Sequence, residues 1–431
     1  MIKNHLSNRT HSDDPSKTHT SFNPQLNHIV VIGASHAGIS FADQIRKNGF
    51  SGTLTVIDRQ KGGPVERPPL SKGFLLDPSD KINPAILLKK AKWYRSQNIS
   101  LKHSVNVINI DATNKQLLTS NGEEINYDKL VLATGALPRF LPSSKNISNV
   151  FVLRQPDDAI ALRNTARKAK RAIVIGGGYI GLEVAASLRQ LGLVVNVIEL
   201  ANRLLARVAS PPVAQLLEEL HRRRGVSIFT GTGIDKILEE DNTFRGVVLS
   251  DGTLLSAEML IIGIGVTPDS HLAKLAGIET ERPDGGAILV DERMHTSDPS
   301  ILSIGDVALE RGNSLRIESV HNAQESAARA ASAIMGTTPP LIQAPWFWSD
   351  QFDASLQSVG IIPTAEEGIY QITRAGNREG GVSFWSYRNQ ELIAVEAVKD
   401  PKNYMIGKKC LETKISPNPD LIGNLDFNPL D

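Results

Sequence analysis

A glycine-rich turn occurs twice in this chain, and it constrains the fold more than any other feature. Gly33-Ala34-Ser35-His36-Ala37-Gly38 and Gly176-Gly177-Gly178-Tyr179-Ile180-Gly181 begin 143 residues apart. Each follows a short apolar run, His28–Ile32 or Ala172–Ile175, and opens a segment of helical periodicity. A second buried run then follows, Thr53–Asp58 in the first case and Val194–Glu199 in the second. Strand, glycine turn, helix and strand make the unit of a parallel sheet. The first glycine permits the tight turn, the second lets backbone approach a pyrophosphate, and the third lets helix and strand pack closely. The helix N-terminus presents free N–H groups to the phosphates. Asp58, 20 residues after Gly38, and Glu199, 18 residues after Gly181, end the second strands, where an acid accepts ribose hydroxyl bonds. The first turn departs from the pattern in one place, with Ser35 where the second glycine is usual. Ala37 and Ile180, each next to the last glycine of its turn, belong to the same two binding sets.

A repeat of this unit predicts two dinucleotide sites in one chain. The pair makes chemical sense if one site holds a flavin and the other brings a nicotinamide, because hydride then passes between them while the protein orients the rings. Glu199 favours NADH, since a carboxylate repels the 2′-phosphate of NADPH. Arg203, four residues on, leaves NADPH open.

The rest of the composition narrows the class. The chain has 431 residues, 41% hydrophobic and 22% charged, a length that suggests several domains. Lys plus Arg is 47 and Asp plus Glu is 46, so no basic excess points to nucleic acid or an acidic membrane. No apolar run reaches the roughly 18 residues that span a bilayer, and the N-terminus lacks a signal peptide's apolar core. A cytoplasmic location is expected. Cys410 is the only cysteine, which removes an internal disulfide, a Cys-x-x-Cys redox pair and a Cys-ligated metal or cluster. Residues 1–27 read as a disordered tail; its histidines (His5, His11, His19) are spaced too irregularly for a metal site. No metal is expected.

Further strands end in glycine: Lys129–Ala133 before Thr134–Gly135, Met259–Ile262 before Gly263-Ile264-Gly265, and Ile301–Ile304 before Gly305–Asp306. Past Gly336 the pattern changes, and residues 381–398 alternate like antiparallel strands. Asn322-x-x-Glu325 reads as a capping box opening a helix at Ala323.

These motifs resemble the two-dinucleotide-domain FAD/NAD(P) reductases. More specific are Arg67-Pro68-Pro69-Leu70-Ser71-Lys72, the run Arg316–Ala323, and Pro345-Trp346-Phe347-Trp348-Ser349-Asp350-Gln351. Together they resemble the ferredoxin reductase components of bacterial oxygenase and P450 systems, the group of putidaredoxin, rubredoxin and biphenyl dioxygenase reductases. The resemblance runs from about His28 to Cys410. It implies an α/β fold of glutathione-reductase-like architecture, with two Rossmann-like domains and a C-terminal α/β domain. The FAD domain would be 28–138 with 263–336, the NAD domain 139–262, and the C-terminal domain 337–431.

The resemblance also assigns residues. Asp306 matches the acid on the FAD ribitol, Asp58 the acid on the adenosine ribose, and Arg154 an FAD-contacting arginine. Arg67, Thr134 and Gly135 fall in FAD motifs and Gly265 in an NAD motif. Val105 sits where the family packs the adenine, and Val320 lies against the flavin pyrimidine edge. Lys72 resembles the lysine near flavin N5, and Glu183 its acidic partner beside the nicotinamide; these two are the expected catalytic pair. Such a cation stabilises the reduced flavin, and the carboxylate orients it. His321 carries no assigned role.

The implied activity is that of a ferredoxin–NAD(+) reductase. FAD is bound tightly and non-covalently, NADH is the donor, and a [2Fe–2S] ferredoxin is the acceptor that feeds a P450 or a Rieske-type oxygenase. Monomer and homodimer both stay open. Basic docking candidates are Lys89, Lys90, Lys92 and Arg95, then Arg222–Arg224, then Lys408 and Lys409. Trp346 and Trp348 are an electron path or packing residues. Within the fold, an NADH oxidase or quinone reductase is the alternative. A disulfide reductase needs a redox cysteine beside the flavin, and an apoptosis-inducing-factor-like flavoprotein typically carries targeting segments or basic surfaces.

Glu199→Ala is expected to weaken NADH binding more than NADPH binding. Titration of each nucleotide checks this, and an unchanged ratio removes Glu199 as the discriminator.

Overall fold

A computed structural model describes residues 26–79, 84–283, 285–362 and 368–430. The tail, with His5, His11 and His19, lies outside the described residues but for its last two positions.

Both glycine turns sit in five-stranded, all-parallel sheets. In the first, the order is Ile301–Ser303, Lys129–Leu132, His28–Ile32, Thr53–Asp58, Ile99–His103. The central strand is β-branched, and Ile29, Val30 and Val31 are fully buried, as a sheet covered on both faces requires. Helix His36–Lys47 lies on one face against helix Val320–Met335. The latter presents Ala323, Ala327, Ala330 and Ala331 to it, and these small side chains permit close approach. The second sheet has the order Val226–Thr230, Val194–Glu199, Arg171–Ile175, Met259–Ile262, Val150–Phe151. It arises between two strands of the first. A short antiparallel ribbon, Ala136–Pro138 with Val266–Pro268, marks where the chain crosses out and back.

The last unit is a five-stranded antiparallel sheet, in the order Trp346–Gln351, Ala354–Gly360, Glu391–Val398, Val382–Arg388, Ile369–Ala375. Helix Pro401–Thr413 covers one face, and Gly407 there leaves no room for a Cβ, which would fall 2.6 Å from Val395 Cγ2. The other face packs on the helices of the second parallel sheet. Ala354, Leu356, Phe384 and Val398 join one apolar cluster with Val213, Leu217 and Leu220. The fold class is therefore α/β with two Rossmann-like sheets and a C-terminal antiparallel unit.

The contact between these two units includes one buried acid. Glu396 is wholly buried, and both its oxygens accept from the Ser210 N–H at 3.2 Å, at the start of helix Pro211–Arg223. Burial pushes its carboxyl up to about 7 from 4.5. Between those values the folded state holds a proton that the unfolded state has lost, so stability falls as pH rises through this window. At about 1.4 kcal/mol per pH unit the loss is about 3 kcal/mol. Glu396→Gln is expected to remove that slope. Thermal midpoints of both proteins across the window check it: the difference between them should widen in favour of the variant as pH rises.

Candidate functional site

The two turns are built by the same contacts. Gly33 has φ +107°, and a Cβ there would lie 2.2 Å from the Ala133 carbonyl oxygen; Gly176 has φ +102° and would meet Gly263 O at 2.3 Å. A Cβ on Gly38 would fall 1.9 Å from Gly33 O, and one on Gly181 2.0 Å from Gly176 O. Only glycine fits these four positions. Ser35 and Gly178 occupy the equivalent helix N-caps, and neither makes a side-chain cap bond. A Cβ on Gly178 would meet nothing within 4 Å.

Each acid ties its own turn. Asp58 Oδ2 accepts from Ala34 N at 2.8 Å and Oδ1 from Gln60 N at 2.8 Å. Glu199 Oε2 accepts from Gly177 N at 2.7 Å and Oε1 from Ala201 N at 2.7 Å. Arg203 is spent on the backbone oxygens of Leu204, Ala206 and Ala209, so its donors face its own loop.

A cavity of about 1790 Å³ runs along both turns and reaches the C-terminal sheet. Of the site residues expected from sequence, Gly33, Ser35, Ala37, Asp58, Arg67, Lys72, Val105, Thr134, Gly135, Arg154, Asp306 and Val320 line it. So do Gly176, Gly178, Ile180, Gly181, Glu183, Glu199 and Gly265. Gly38 does not; its place is the close approach of helix to strand.

Arg67 and Arg154 stand in the first half of the cavity, among Asp58 and Asp306. Arg67 Nε donates to Ser35 Oγ at 2.9 Å while its Nη1 is buried without a partner. Burial, then the neighbouring Arg154, push the Arg67 guanidinium down to about 9. Arg154 reaches Asp306 Oδ2 at 3.4 Å, and its Nε is likewise buried without a partner. His36, on the same wall, is pushed down to about 4 by burial and by Arg67. Two guanidinium groups with open N–H donors beside an uncapped helix N-terminus fit a diphosphate. Sequence reasoning missed His36, whose only signal was its place inside the first turn.

At the junction of the three sheets, Lys72 Nζ lies 2.8 Å from Glu183 Oε2. Glu183 is 2% exposed. The hydroxyl of Ser71 also donates to Oε2, and that of Ser349 to Oε1 at 2.6 Å. Lys72 donates further to Pro68 O at 3.2 Å. Ser71 and Ser349 stood inside motifs, yet nothing in the sequence paired them with Glu183.

Trp346, Phe347 and Trp348 wall the C-terminal side of the cavity. Phe347 stacks on Tyr179 with centroids 4.6 Å apart, and Trp346 lies 5.5 Å from the His321 ring. The helix there starts at Val320, not Ala323. Its cap is Ser319, whose hydroxyl accepts from Asn322 N at 3.0 Å, while Asn322 donates its amide to Ile317 O. The expected Asn322–Glu325 capping box is thus replaced by a single N-cap bond to Ser319 a turn earlier, which brings Val320 to the cavity wall. Cys410 is buried, bonded to Pro429 O at 3.5 Å, and burial pushes its thiol up to about 11. It does not line the cavity. Among the described residues there is no cluster of His, Cys, Asp and Glu suited to a metal, and no helix is long and apolar enough to cross a membrane.

Two Rossmann-like sheets facing one cavity, with a lysine–glutamate pair between them, define a two-dinucleotide oxidoreductase. The chain belongs to the pyridine nucleotide-disulphide oxidoreductase family, whose pattern matches residues 27–327; the reductase C-terminal family matches 346–428. Membership makes it a flavoprotein oxidoreductase using FAD and a pyridine nucleotide, NADH or NADPH. Rhodocoxin reductase of Rhodococcus erythropolis is 34% identical over 406 residues, covering 93% of each chain. Rubredoxin-NAD(+) reductase of Pseudomonas putida is 36% identical over 379 residues, covering 87% of this chain and 96% of the relative. Among solved structures, putidaredoxin reductase in covalent complex with putidaredoxin matches with TM-score 0.87 at 33% identity, over 94% of this chain and 97% of that one.

Gly178→Ala is expected to fold with stability changed by less than about 1 kcal/mol, because the new methyl meets no protein atom. The methyl would enter the cavity that Gly178 lines, at the turn expected to approach a pyrophosphate, so nucleotide affinity should fall about tenfold or more. Melting curves and NADH titration separate the two effects.

Proposed function

We propose that this chain takes hydride from NADH onto FAD and passes the electrons singly to a [2Fe–2S] ferredoxin that serves a P450 or Rieske-type oxygenase. The observation that carries this reading is the Lys72–Glu183 pair, set between the two glycine turns in a cavity that no cysteine lines. FAD, when bound, converts a two-electron donor into a one-electron source.

The chain's own residues have separate tasks in this reading. Gly33, Ser35, Ala37 and Gly38 shape the FAD phosphate turn, and Arg67 and Arg154 supply its open cationic donors. Asp58 faces the adenosine ribose, Val105 the adenine, and Asp306 the ribitol. Thr134 and Gly135 close the floor, with Thr134 Oγ1 fixed to Asp269 O at 2.7 Å. Val320, as the first residue of its helix, brings a positive helix end to the flavin pyrimidine edge. Gly176, Gly178, Ile180, Gly181 and Gly265 shape the nicotinamide nucleotide's turn. Glu199 excludes a 2′-phosphate; the inward engagement of Arg203 supports NADH over NADPH. Lys72 places its ammonium by the flavin ring and Glu183 orients it.

Ferredoxin is favoured over oxygen or a quinone as acceptor by the similarity to reductases named for small iron–sulfur or redoxin partners. Lys408 adds its charge near His321, whose ring neighbours Trp346 of the cavity wall, and an acidic partner would dock on this side. Lys408 is paired with Glu412 at 3.5 Å, as Lys89 is with Asp43 and Arg224 with Asp353.

The deciding experiment mixes the purified protein anaerobically with NADH or NADPH, then with a [2Fe–2S] ferredoxin or a rubredoxin, while flavin and cluster absorbance are followed. Rapid bleaching by NADH and fast ferredoxin reduction are expected. Bleaching that discharges only into oxygen or quinone moves the chain to the oxidase class. Lys72→Ala is expected to slow flavin reduction about tenfold or more, or to shift the flavin potential. Unchanged values for both reduce Lys72 to a structural residue.

A further inference from the structure

Glu183 has three bonding partners, Lys72, Ser71 and Ser349, and the last of them opens a buried path leading away from the cavity. Ser349 Oγ, at 2.6 Å from Glu183 Oε1, is 3.1 Å from Gln351 Nε2. Gln351 Oε1 is in turn 2.9 Å from His221 Nε2. All three residues are at most 1% exposed. Ser349 and Gln351 are two apart on strand Trp346–Gln351, so the pleat puts both on one face. His221 comes from helix Pro211–Arg223 beside the second parallel sheet.

The direction of every bond follows from the carboxylate. A carboxylate oxygen only accepts, so the Ser349 hydroxyl donates to it. The same oxygen of Ser349 then accepts from the Gln351 amide nitrogen. The Gln351 oxygen is left facing His221, so the hydrogen of the His221 ring sits on Nε2. Its other nitrogen, Nδ1, carries the lone pair and is buried without a partner. The ring packs edge-on to Phe352, with centroids 5.0 Å apart. Burial pushes this histidine down to about 4, in keeping with a neutral donor. Hydrogen bonds that all point one way along a chain polarise one another and strengthen the terminal bond.

We propose that His221, Gln351 and Ser349 are positioning residues: a one-way hydrogen-bonded strut that fixes the Glu183 carboxylate and, through it, the Lys72 ammonium. The inference rests on the reading of Lys72 and Glu183 given above. The strut grips Oε1, leaving Oε2 to Lys72 and Ser71, so each oxygen has its own fixed set of donors. It runs through the C-terminal sheet to a helix of the second parallel unit. The carboxylate, which belongs to that second unit, is thereby held in register with the strand that walls the cavity.

The test uses the full-length holoprotein. Gln351→Met, close in volume but without hydrogen bonds, is expected to slow flavin reduction at saturating NADH about tenfold, with the apparent NADH affinity changed less than threefold. His221→Gln, which keeps an N–H donor near the Nε2 position, should retain most of the rate, whereas His221→Leu should behave like Gln351→Met. A merely structural role would lower the melting temperature of all three alike and leave the rate of the folded fraction unchanged, and that result overturns the strut. A second measurement needs no variant and no turnover. Nitrogen-15 spectra of the wild-type protein should show His221 as the Nε2–H tautomer at neutral pH. A proton on Nδ1, or on both nitrogens, overturns the proposal. The two readings separate cleanly. If NADH fails to bleach the wild-type flavin, or Glu183→Gln leaves the rate unchanged, the role of the pair falls. If Glu183→Gln slows reduction and Gln351→Met does not, only the strut falls.

Discussion

Four missing side chains set the geometry on which the cavity depends. At Gly33, Gly38, Gly176 and Gly181 a Cβ would fall within 2.3 Å of a backbone oxygen, well inside van der Waals contact. Their absence lets each helix begin directly against its strand. The N-terminal N–H groups then aim into the cavity rather than along the sheet. From that one constraint follow the placement of Ser35 and Gly178 at the caps and of Glu183 two residues beyond Gly181, and the room left for a nucleotide. Asp58 and Glu199 complete each turn by accepting the N–H of its second residue. The turns are thus held in shape before any ligand arrives, and the ordering cost is met in folding rather than in binding.

The parts of this arrangement legible in the sequence are those written in local spacing. Glycine turn, strand and terminal acid are all within about thirty residues of each other, and their chemistry needs no tertiary knowledge. The positions of Lys72, Asp306 and Arg154 came from longer motifs by resemblance, because nothing local brings them to the turns. What joins Glu183 to Ser349, Gln351 and His221 was invisible for a plainer reason. The four residues come from three separate stretches of chain, and only the docking of the C-terminal sheet makes them neighbours. The misplaced cap at Asn322 has a different origin. Two overlapping polar patterns competed for the same helix start, and Ser319 won because its hydroxyl reaches the Asn322 N–H.

The contact of the C-terminal sheet with the second parallel unit buries an apolar cluster, and beside Glu183 it carries two buried titratable groups of opposite tendency. His221 resists gaining a proton and Glu396 resists losing one. Each is neutral for the same reason, desolvation, and each is bonded to the opposite unit. Below the range of one and above the range of the other, charge would have to enter the contact. The polar strut and the buried acid therefore tie the alignment of these units to a window of pH as well as to shape.

The order of strands in the first sheet has a consequence for how the chain is made. Ile301–Ser303 pairs with Lys129–Leu132, and every strand of the second sheet lies between them in the sequence. On the ribosome the inserted sheet is complete while the first still lacks its last edge. At translation rates of about 5–20 residues per second, Leu130 and Val131 wait on the order of ten seconds for their partners. An unpaired strand edge is a place where chains associate wrongly, and this one is apolar on both sides. Lys129, whose ammonium ends on Pro299 O in the finished fold, gives that waiting edge its one charge and so its one deterrent to premature pairing.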